Sequence, residues 1–440
     1  MKEPSAEPAV TPPASRLPPL PAVLIKNVRL LDPVADTDTT GCLGFRDGRI
    51  DYHGPAAPKG ARYDETIDGS GLWLMPGAVD LCARMREPGH TQKATMRSES
   101  TAALAAGITA LCLPPDTRPV IDNTAVVVRV NRIAKAAGGA YVYMLGALTR
   151  GLEGDALSEM SALKQAGCVG VGNGLAPVAN TLIARRALEY ASSLGITVHV
   201  VPLDPALANG GCAHEGAVAT RLGLPPIPVS AEAVAMRQWI SLVEDTGARV
   251  HFGRLSSARG VALLESAQAR GLPVTADVAA HQLFLTDEDL DGFNAMAHVL
   301  PPLRTAQDRD ALRAAVRAGS IGAICSDHQP HEADAKINPL PMTEPGISSL
   351  ETLLPLALRL VHEGVLTPLQ AAARLAPGPA AVLGVEAGSL GPGARADLVL
   401  VDPALEWQLD PSAMRSRGRN TPFARQNFAG RAVRTWLGAH

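Results

Sequence analysis

Residues 73–82, "WLMPGAVDLC", open the part of the chain that decides the fold. This short apolar run lies between turn-forming residues and indicates a buried strand. Seven further runs of this kind follow: "GITALCLP" (107–114), "AYVYMLGAL" (140–148), "GCVGVGN" (167–173), "GITVHVV" (195–201), "ARVHFGRL" (248–255), "LPVTADVA" (272–279) and "SIGAICSD" (320–327). We therefore predict eight strands in the middle of the chain.

Helical stretches separate these strands. They include "SESTAALAAG" (98–107), "NTAVVVRVNRIAKAAG" (123–138), "IARRALEYASSLG" (183–195), "SAEAVAMRQWISLVEDTG" (230–247) and "ALLESAQARG" (262–271). Several end in Gly just before the next strand, as helix C-caps do. Eight βα units over about 300 residues predict an α/β fold of the (β/α)8 TIM-barrel type. A doubly wound sheet is the alternative, but no GxGxxG motif follows an early strand.

Both ends of the chain are β-like. Residues 22–77 and 388–440 show period-two alternation between Gly, Pro and Asp breakers, and "DGRI" (47–50) predicts a hairpin turn. We expect the two ends to pair into one β domain. The expected divisions are a Pro-rich arm at 1–20, a composite β-sandwich domain from 21–75 plus 385–440, and the barrel at 76–384.

Composition narrows the possible partners. The 440 residues include 46% hydrophobic residues and carry a net charge of −3, so neither nucleic acid nor an anionic membrane surface is expected as a partner. No apolar run approaches the roughly 18 residues that span a bilayer, and the arm has no secretory signal. Six scattered cysteines without a CxxC pair favour the reducing cytoplasm.

Barrel chemistry lies at the C-terminal ends of the strands. The first strand ends in Asp80, Cys82 and Arg84, which alternation places on one face. Cys82 could bind zinc as a thiolate, or be a small buried hydrophobe, whereas Arg84 has no lone pair to offer. The eighth strand ends in "SDHQPH" (326–331), an Asp with two nearby His that indicates a functional site.

Several longer motifs accompany these strand ends. They are "REPG" (86–89), "GGCAHEGAVATRLGLPPIPVSAE" (210–232), "PPLR" (301–304), "PGISSLET" (345–352), "GARADLVLVD" (393–402) and "GRNTPFARQNFAG" (418–430). With "SDHQPH", this combination resembles the dihydroorotase family of the amidohydrolase superfamily over nearly the whole chain after the arm. The resemblance implies a barrel with a β-sandwich made from both chain ends, in agreement with the strand pattern.

The resemblance also implies a zinc centre, but this sequence departs from its ligand pattern. The family's strand-one His-x-His corresponds to Cys82 and Arg84, and its acidic or carboxylated-lysine ligand after strand four corresponds to Asn173. The strand-five His corresponds to Val201, with His199 two residues earlier, and the second His of strand six corresponds to Arg254. Asp327 alone is retained, at the position where active relatives have their general acid/base.

The substrate side is partly retained. Arg86 resembles the family's carboxylate-binding arginine, and His331 and the Gly346 loop remain. Asp116 replaces the asparagine of the family's "PNT", and Leu300 replaces that of "NPPLR".

The remaining donors, Cys82 and Asp327, are too few for a tetrahedral zinc site unless His199 or His281 moves in. Two guanidinium groups would also repel a divalent ion. We therefore predict no metal cofactor, and we predict that Arg84, Arg254 or both pair with Asp327. Structural packing is predicted for His281. Surface or loop positions are predicted for the other histidines in this group: His53, His90, His214, His362 and His440.

Three functions are compatible with this pattern. The first is a non-catalytic dihydroorotase homologue that assembles with the catalytic subunit of aspartate carbamoyltransferase in pyrimidine synthesis, with self-association also expected; this role rests on the family resemblance. The second is an active cyclic amidohydrolase with a reduced or relocated zinc site. The third is a sensor that binds a ligand through Arg86. Retained fold motifs and altered metal positions favour the first.

Overall fold

The computed structural model describes residues 21–178 and 180–438. The predicted Pro-rich arm and His440 lie outside these residues. Strands and helices are numbered here in chain order. Within the described residues, no helix combines the length and the apolar character needed to cross a bilayer.

Eight parallel strands form the barrel. They are β6 (Ala78–Asp80), β7 (Ile108–Leu113), β8 (Tyr141–Ala147), β9 (Gly170–Gly172), β10 (Thr197–Val200), β13 (Val250–Phe252), β14 (Val274–Ala279) and β15 (Ala323–Cys325). They are hydrogen-bonded in the spatial order β15-β14-β13-β10-β9-β8-β7-β6. Each of the eight predicted runs contains one of these strands, so the barrel is confirmed and the doubly wound alternative is wrong.

The helices cover the outside of this sheet. The α-helices are α1 (Met96–Ala105), α2 (Thr124–Ala137), α3 (Met160–Gln165), α4 (Thr181–Leu194), α5 (Pro205–Ala208), α6 (Ala217–Leu222), α7 (Val229–Thr246), α8 (Ala258–Ala269), α9 (Ala306–Ala318), α10 (Leu350–His362), α11 (Pro368–Leu375) and α12 (Pro377–Leu383). Short 3-10 turns lie at Arg150–Leu152, Ala280–Leu283, Asp287–Phe293, Ala295–Ala297, Ala333–Lys336, Leu340–Met342 and Pro411–Ala413. Two of the predicted glycine caps, Gly195 and Gly247, end α4 and α7 in the left-handed conformation, whereas Ala106 and Arg270 cap α1 and α8.

The second domain is a seven-stranded sheet drawn from both chain ends, as predicted. Its strands are β1 (Val23–Asp32), β2 (Thr37–Arg46), β3 (Arg49–Gly54), β4 (Glu65–Asp68), β5 (Trp73–Pro76), β16 (Leu398–Gln408) and β17 (Asn427–Trp436). A two-stranded ribbon, β11 (Ala213–His214) with β12 (Pro226–Ile227), stands apart from both sheets. The predicted "DGRI" turn joins β2 to β3, with Asp47 and Gly48 both at positive φ.

The run predicted as the first strand is divided between the two domains. Its first half, β5, pairs with β1 and β16 in the small sheet, and its second half, β6, pairs with β7 in the barrel. Gly77 lies between the halves, and a Cβ atom there would come within 2.1 Å of the Thr109 side chain. The glycine therefore lets the chain pass from one sheet to the other against the barrel wall.

Contacts between the first and last strands bring the barrel close to a closed ring. The carboxylate of Asp80 accepts hydrogen bonds from the backbone and the hydroxyl of Ser326, at 2.8 and 2.5 Å. Ala83 forms a parallel bridge with His328 beyond the ends of these strands. These bonds place the residues after β15 beside the residues after β6.

A buried carboxylate, Glu99 on α1, holds the segment after β15 from the other side. His328 Nε2 donates to Glu99 at 2.8 Å, and the hydroxyl of Ser416 donates at 2.6 Å. The Ser349 backbone N–H donates to Nδ1 of His328, so Nε2 is the ring nitrogen that carries a proton toward Glu99. Burial raises the pKa of Glu99, but the hydrogen bonds from His328, Ser416 and Ser98 lower it to about 2.

Glu99→Gln is expected to destabilise the fold in a pH-dependent manner. The folded pKa of Glu99 lies below its ordinary value of 4.5, so its ionised form stabilises the protein above pH 4.5. The loss in the variant is about 3 kcal/mol at neutral pH, and it shrinks as pH falls from 4.5 to 2. Urea unfolding of both proteins across this range measures the difference. The exposed Glu288→Gln serves as the control, and a constant difference across the range would contradict the role of Glu99.

Candidate functional site

The candidate site lies at the barrel mouth, where the strands end. Three of its residues have left-handed backbone conformations: Arg86 (φ 62°), Arg254 (φ 60°) and Asp327 (φ 46°). Residues other than glycine rarely adopt this backbone conformation, because it costs of order 1–3 kcal/mol. It persists where the surrounding structure imposes it. The group of three at one place makes this mouth a candidate for function, although other non-glycine residues such as Leu152 and Phe293 also have positive φ.

Asp327 is buried between two arginines. Arg254 Nη1 donates to Asp327 Oδ1 at 2.6 Å, and Arg84 Nη1 approaches the same oxygen at 3.4 Å. Gln329 Nε2 donates to the other oxygen at 3.2 Å. Burial raises the pKa of Asp327, but the two guanidinium groups outweigh it and hold this pKa below its ordinary value. The predicted pairing of Asp327 is confirmed for both arginines.

Arg84 links this pair to a second carboxylate. Its Nε donates to Asp116 Oδ2 at 2.8 Å, and its Nη1 lies 3.8 Å from Cys82 Sγ. Cys82 Sγ in turn lies 3.5 Å from Asp327 Oδ1. Burial raises the pKa of Cys82 to about 12, so the group is a thiol at neutral pH.

Two of the other degenerate metal positions do not contribute donors. Asn173 faces Thr149, whose backbone N–H and hydroxyl both donate to its Oδ1, at 3.2 and 3.0 Å. Its amide nitrogen donates to the Leu152 carbonyl at 3.4 Å. Val201 lines the mouth with an aliphatic side chain.

The histidines at the strand ends, His199, His251 and His281, have different surroundings. His251 bonds Thr275 at 2.9 Å and Asp277 at 3.0 Å, and the same Asp277 accepts the Arg254 backbone N–H. Burial holds the pKa of His199 well below its ordinary range, and that of His281 at about 4, so both rings are neutral. His281 is fully buried, in agreement with the structural packing predicted for it.

These residues do not fit a zinc ion. Across residues 21–178 and 180–438, no group of three or more His, Cys, Asp or Glu side chains is arranged to hold a metal. The nearest candidate donors, Asp327 and Cys82, face guanidinium groups, which offer no lone pair. The donor set therefore disagrees with the zinc centre that the family resemblance implies.

The retained residues on the substrate side of the mouth form hydrogen bonds with one another and with nearby backbone groups. Arg86 Nε donates to the Pro330 carbonyl at 3.0 Å, and its Nη2 lies 3.0 Å from Nε2 of His331. Burial and the neighbouring Arg86 and Lys93 lower the pKa of His331 to about 2, so this ring is neutral. Asn420 Oδ1 accepts a hydrogen bond from the His331 backbone N–H, and Asn420 Nδ2 donates to the Gly346 carbonyl, each at 2.9 Å.

Two predictions from the histidine pattern need correction. His328, part of the strand-eight signal, turns away from Asp327 and is fully buried against Glu99. His214, predicted as a surface or loop residue, is 8% exposed and its Nδ1 lies 3.1 Å from Nη1 of Arg304. Both rings belong to buried networks between distant segments. The quoted motifs contain these residues, but spacing along the chain does not show their partners.

Comparison with known proteins places this geometry in a family. A sequence model described as "Amidohydrolase family" matches residues 214–439, and one described as "Dihydro-orotase-like" matches residues 71–259. The chain is 50% identical over 418 residues to the dihydroorotase-like protein of Pseudomonas aeruginosa, covering 95% of this chain and 98% of that relative. The chain belongs to the amidohydrolase family. Within it, the protein is a dihydroorotase-like amidohydrolase.

Other relatives carry different names. The chain is 41% identical over 420 residues to a protein of Anaeromyxobacter dehalogenans named dihydroorotase, with 94% of this chain and 96% of the relative covered. Among solved structures, the L-hydantoinase of Arthrobacter aurescens is similar with a TM-score of 0.86 and 23% identity, covering 95% of both chains. At that identity the likeness shows the amidohydrolase barrel fold alone.

Removing the Asp327 carboxylate is expected to destabilise this amidohydrolase barrel more than removing the whole pair. Asp327→Leu leaves Arg254 buried without its carboxylate and should cost about 3–5 kcal/mol. Adding Arg254→Met removes the unpaired charge, while Arg84 keeps Asp116, so the double variant should be more stable than Asp327→Leu. Chemical denaturation measures both. The exposed Asp334→Leu should change stability by about 0.5 kcal/mol or less, and additive losses in the double variant would contradict the pairing.

Proposed function

We propose that this protein is a non-catalytic, dihydroorotase-like scaffold that works in the cytoplasm as a partner of the catalytic subunit of aspartate carbamoyltransferase. The observation that carries the proposal is the contact of Asp327 with Arg254 at 2.6 Å and with Arg84 at 3.4 Å. At this place a hydrolytic amidohydrolase needs an ion-activated water and a free general base.

The electrostatics of the mouth oppose hydrolysis in two ways. A divalent ion about 4 Å from one guanidinium would be repelled by roughly 8 kcal/mol at an effective dielectric of about 20. The two arginines also depress the pKa of Asp327, which makes its carboxylate a weaker base. The proposal therefore includes no zinc cofactor and no turnover.

The partner role rests on the family resemblance. The relative at 50% identity is named dihydroorotase-like protein, which separates it in name from the relatives called dihydroorotase. All six cysteines are free and buried, in keeping with a reducing compartment.

Exposed apolar side chains give the partner role some physical support. Ile337, Met342 and Phe293 are 76%, 71% and 53% exposed. They lie on two loops that touch each other, because Lys336 Nζ donates to the Ala295 carbonyl at 3.1 Å. Exposed apolar side chains on neighbouring loops are found on many protein-binding faces.

A second candidate, an active cyclic amidohydrolase, is favoured by one observation. Relatives at 41% identity over 94% of the chain are named dihydroorotase. Such an activity would require Arg84 and Arg254 to leave Asp327 and further donors to approach it.

Ring opening of dihydroorotate separates the two candidates. The purified chain, assayed with and without added zinc, is expected to show no hydrolysis above the uncatalysed rate, since nothing activates water beside Asp327. The Anaeromyxobacter dehalogenans relative, prepared in parallel, serves as the positive control. Steady zinc-dependent turnover by this chain would establish the second candidate instead.

Assembly tests the partner role. The chain, mixed with aspartate carbamoyltransferase from the same source, is expected to elute as one complex, and the transferase should be less active without it. Asp327→Leu/Arg254→Met should still assemble, because a scaffold does not use the mouth for chemistry. A chain that stays separate from the transferase and leaves its activity unchanged would contradict the proposal.

A further inference from the structure

A cavity lies beside the barrel mouth rather than over its axis. It has a volume of about 270 Å³ and is bounded by the ends of β9 and β10, the loop at 174–178, α5 and α7. A smaller cavity of about 40 Å³ at the mouth contains Arg254 and Cys82, and the two share the wall formed by Gly174, His199 and Val201. The larger cavity therefore adjoins the degenerate site and shares Asn173 and Val201 with it, but its described lining contains none of the arginines of the mouth.

The cavity is large enough for a small organic ligand. A buried apolar cavity of about 150 Å³ binds benzene, so about 270 Å³ corresponds to a molecule of roughly ten non-hydrogen atoms. Most of the lining is aliphatic, and Trp239 of α7 contributes an aromatic side chain that is 7% exposed. Aliphatic residues, one aromatic side chain and several polar groups together form a lining that is typical of small-molecule sites.

A few polar groups interrupt these walls. Gln238 and His199 line the cavity, and burial keeps the pKa of His199 well below its ordinary range, so its ring is neutral. Among the described lining residues, Asp204 alone is charged, and none is Lys or Arg. Asp204 Oδ1 accepts the Leu207 backbone N–H at 2.8 Å and so caps α5 at the cavity wall.

This charge pattern is opposite to that of the mouth. At the mouth, the carboxylates lie beside Arg84 and Arg254, whereas the described lining of the lateral cavity presents one carboxylate without a cation. An anionic ring such as dihydroorotate would be repelled by Asp204. A neutral or cationic amphiphile would keep its ring in the apolar part and its polar end near Asp204 or Gln238.

We propose that the cavity beside β9 and β10 is a second binding site, which takes a compact aromatic or aliphatic molecule with a neutral or cationic head. The site does not depend on whether the barrel mouth is catalytic or on which protein the chain binds. If the scaffold proposal fails, the proposal of a second binding site still stands. If no ligand binds the cavity, the scaffold proposal still stands.

Three probes of matched shape test the charge preference of the site. They are phenethylamine, 2-phenylethanol and phenylacetate, which place a cationic, neutral or anionic head on the same ring. By calorimetric titration of the full chain, we expect one site for the first two probes and binding of phenylacetate weaker by about tenfold, because Asp204 repels a carboxylate. Asp204→Asn keeps a capping side chain and should bring phenethylamine and phenylacetate to similar affinities.

Filling the cavity tests its location. Ala235→Leu adds three carbon atoms at a lining position and should weaken 2-phenylethanol binding by about tenfold or more. Val234→Leu, on the same helix but exposed and outside the lining, is the matched control and should bind normally. Circular dichroism and thermal melting verify that both variants fold.

Three results would overturn the proposal. They are no heat from any probe at millimolar concentration, equal binding of phenylacetate and phenethylamine by the unmodified chain, and unchanged binding in folded Ala235→Leu. Equal weakening by Val234→Leu would place the probe elsewhere and have the same consequence. Because Asp204→Asn leaves the apolar walls intact, it remains informative even where Ala235→Leu fails to fold.

Discussion

One carboxylate held between two guanidinium groups determines what the barrel mouth can do. Asp327 is buried, and Arg254 and Arg84 give it the positive charge that a divalent ion would otherwise supply. A buried carboxylate without a cation would be strongly disfavoured, so this pairing lets the barrel keep Asp327 with no metal beside it. The same contacts hold the pKa of Asp327 below its ordinary value and so lower its basicity.

The surrounding scaffold holds this pair in place from several directions. The Asp80 carboxylate accepts a hydrogen bond from Ser326, which precedes Asp327, and the Glu99 carboxylate accepts one from His328, which follows it. Asp277 accepts the backbone N–H of Arg254. These bonds maintain left-handed backbone conformations that are useful where catalytic groups converge. The barrel thus holds Asp327 and Cys82, which could donate to a metal, against Arg84 and Arg254, whose guanidinium groups offer no lone pair.

The sequence predicted the parts of the structure that depend on local pattern. Apolar runs separated by Gly-capped helices indicated the eight barrel strands, and the Asp47–Gly48 turn indicated the first hairpin. The pairing of Asp327 also followed from chemistry, since a buried carboxylate near two arginines needs a partner. The expected domain boundary at 75/76 already divided the first run, but periodicity predicted one strand there, whereas the structure has two strands, one on either side of Gly77.

Contacts between distant segments could not be predicted in the same way. Glu99 and His328 are 229 residues apart, and His214 and Arg304 are 90 apart. A lone histidine in a sequence looks the same whether it faces solvent or a buried arginine. The lateral cavity beside Asp204 was likewise absent from the sequence interpretation, because its walls come from separate strands, a loop and helices that meet only in the folded barrel.

The most direct test is X-ray diffraction from crystals of the chain grown with zinc, with anomalous scattering recorded at the zinc edge. If Asp327 is ion-paired with the arginines, the maps will show Arg254 Nη1 hydrogen-bonded to its carboxylate and no anomalous peak beside it. A strong peak within bonding distance of Asp327, with the two guanidinium groups displaced, would contradict this view of the barrel mouth.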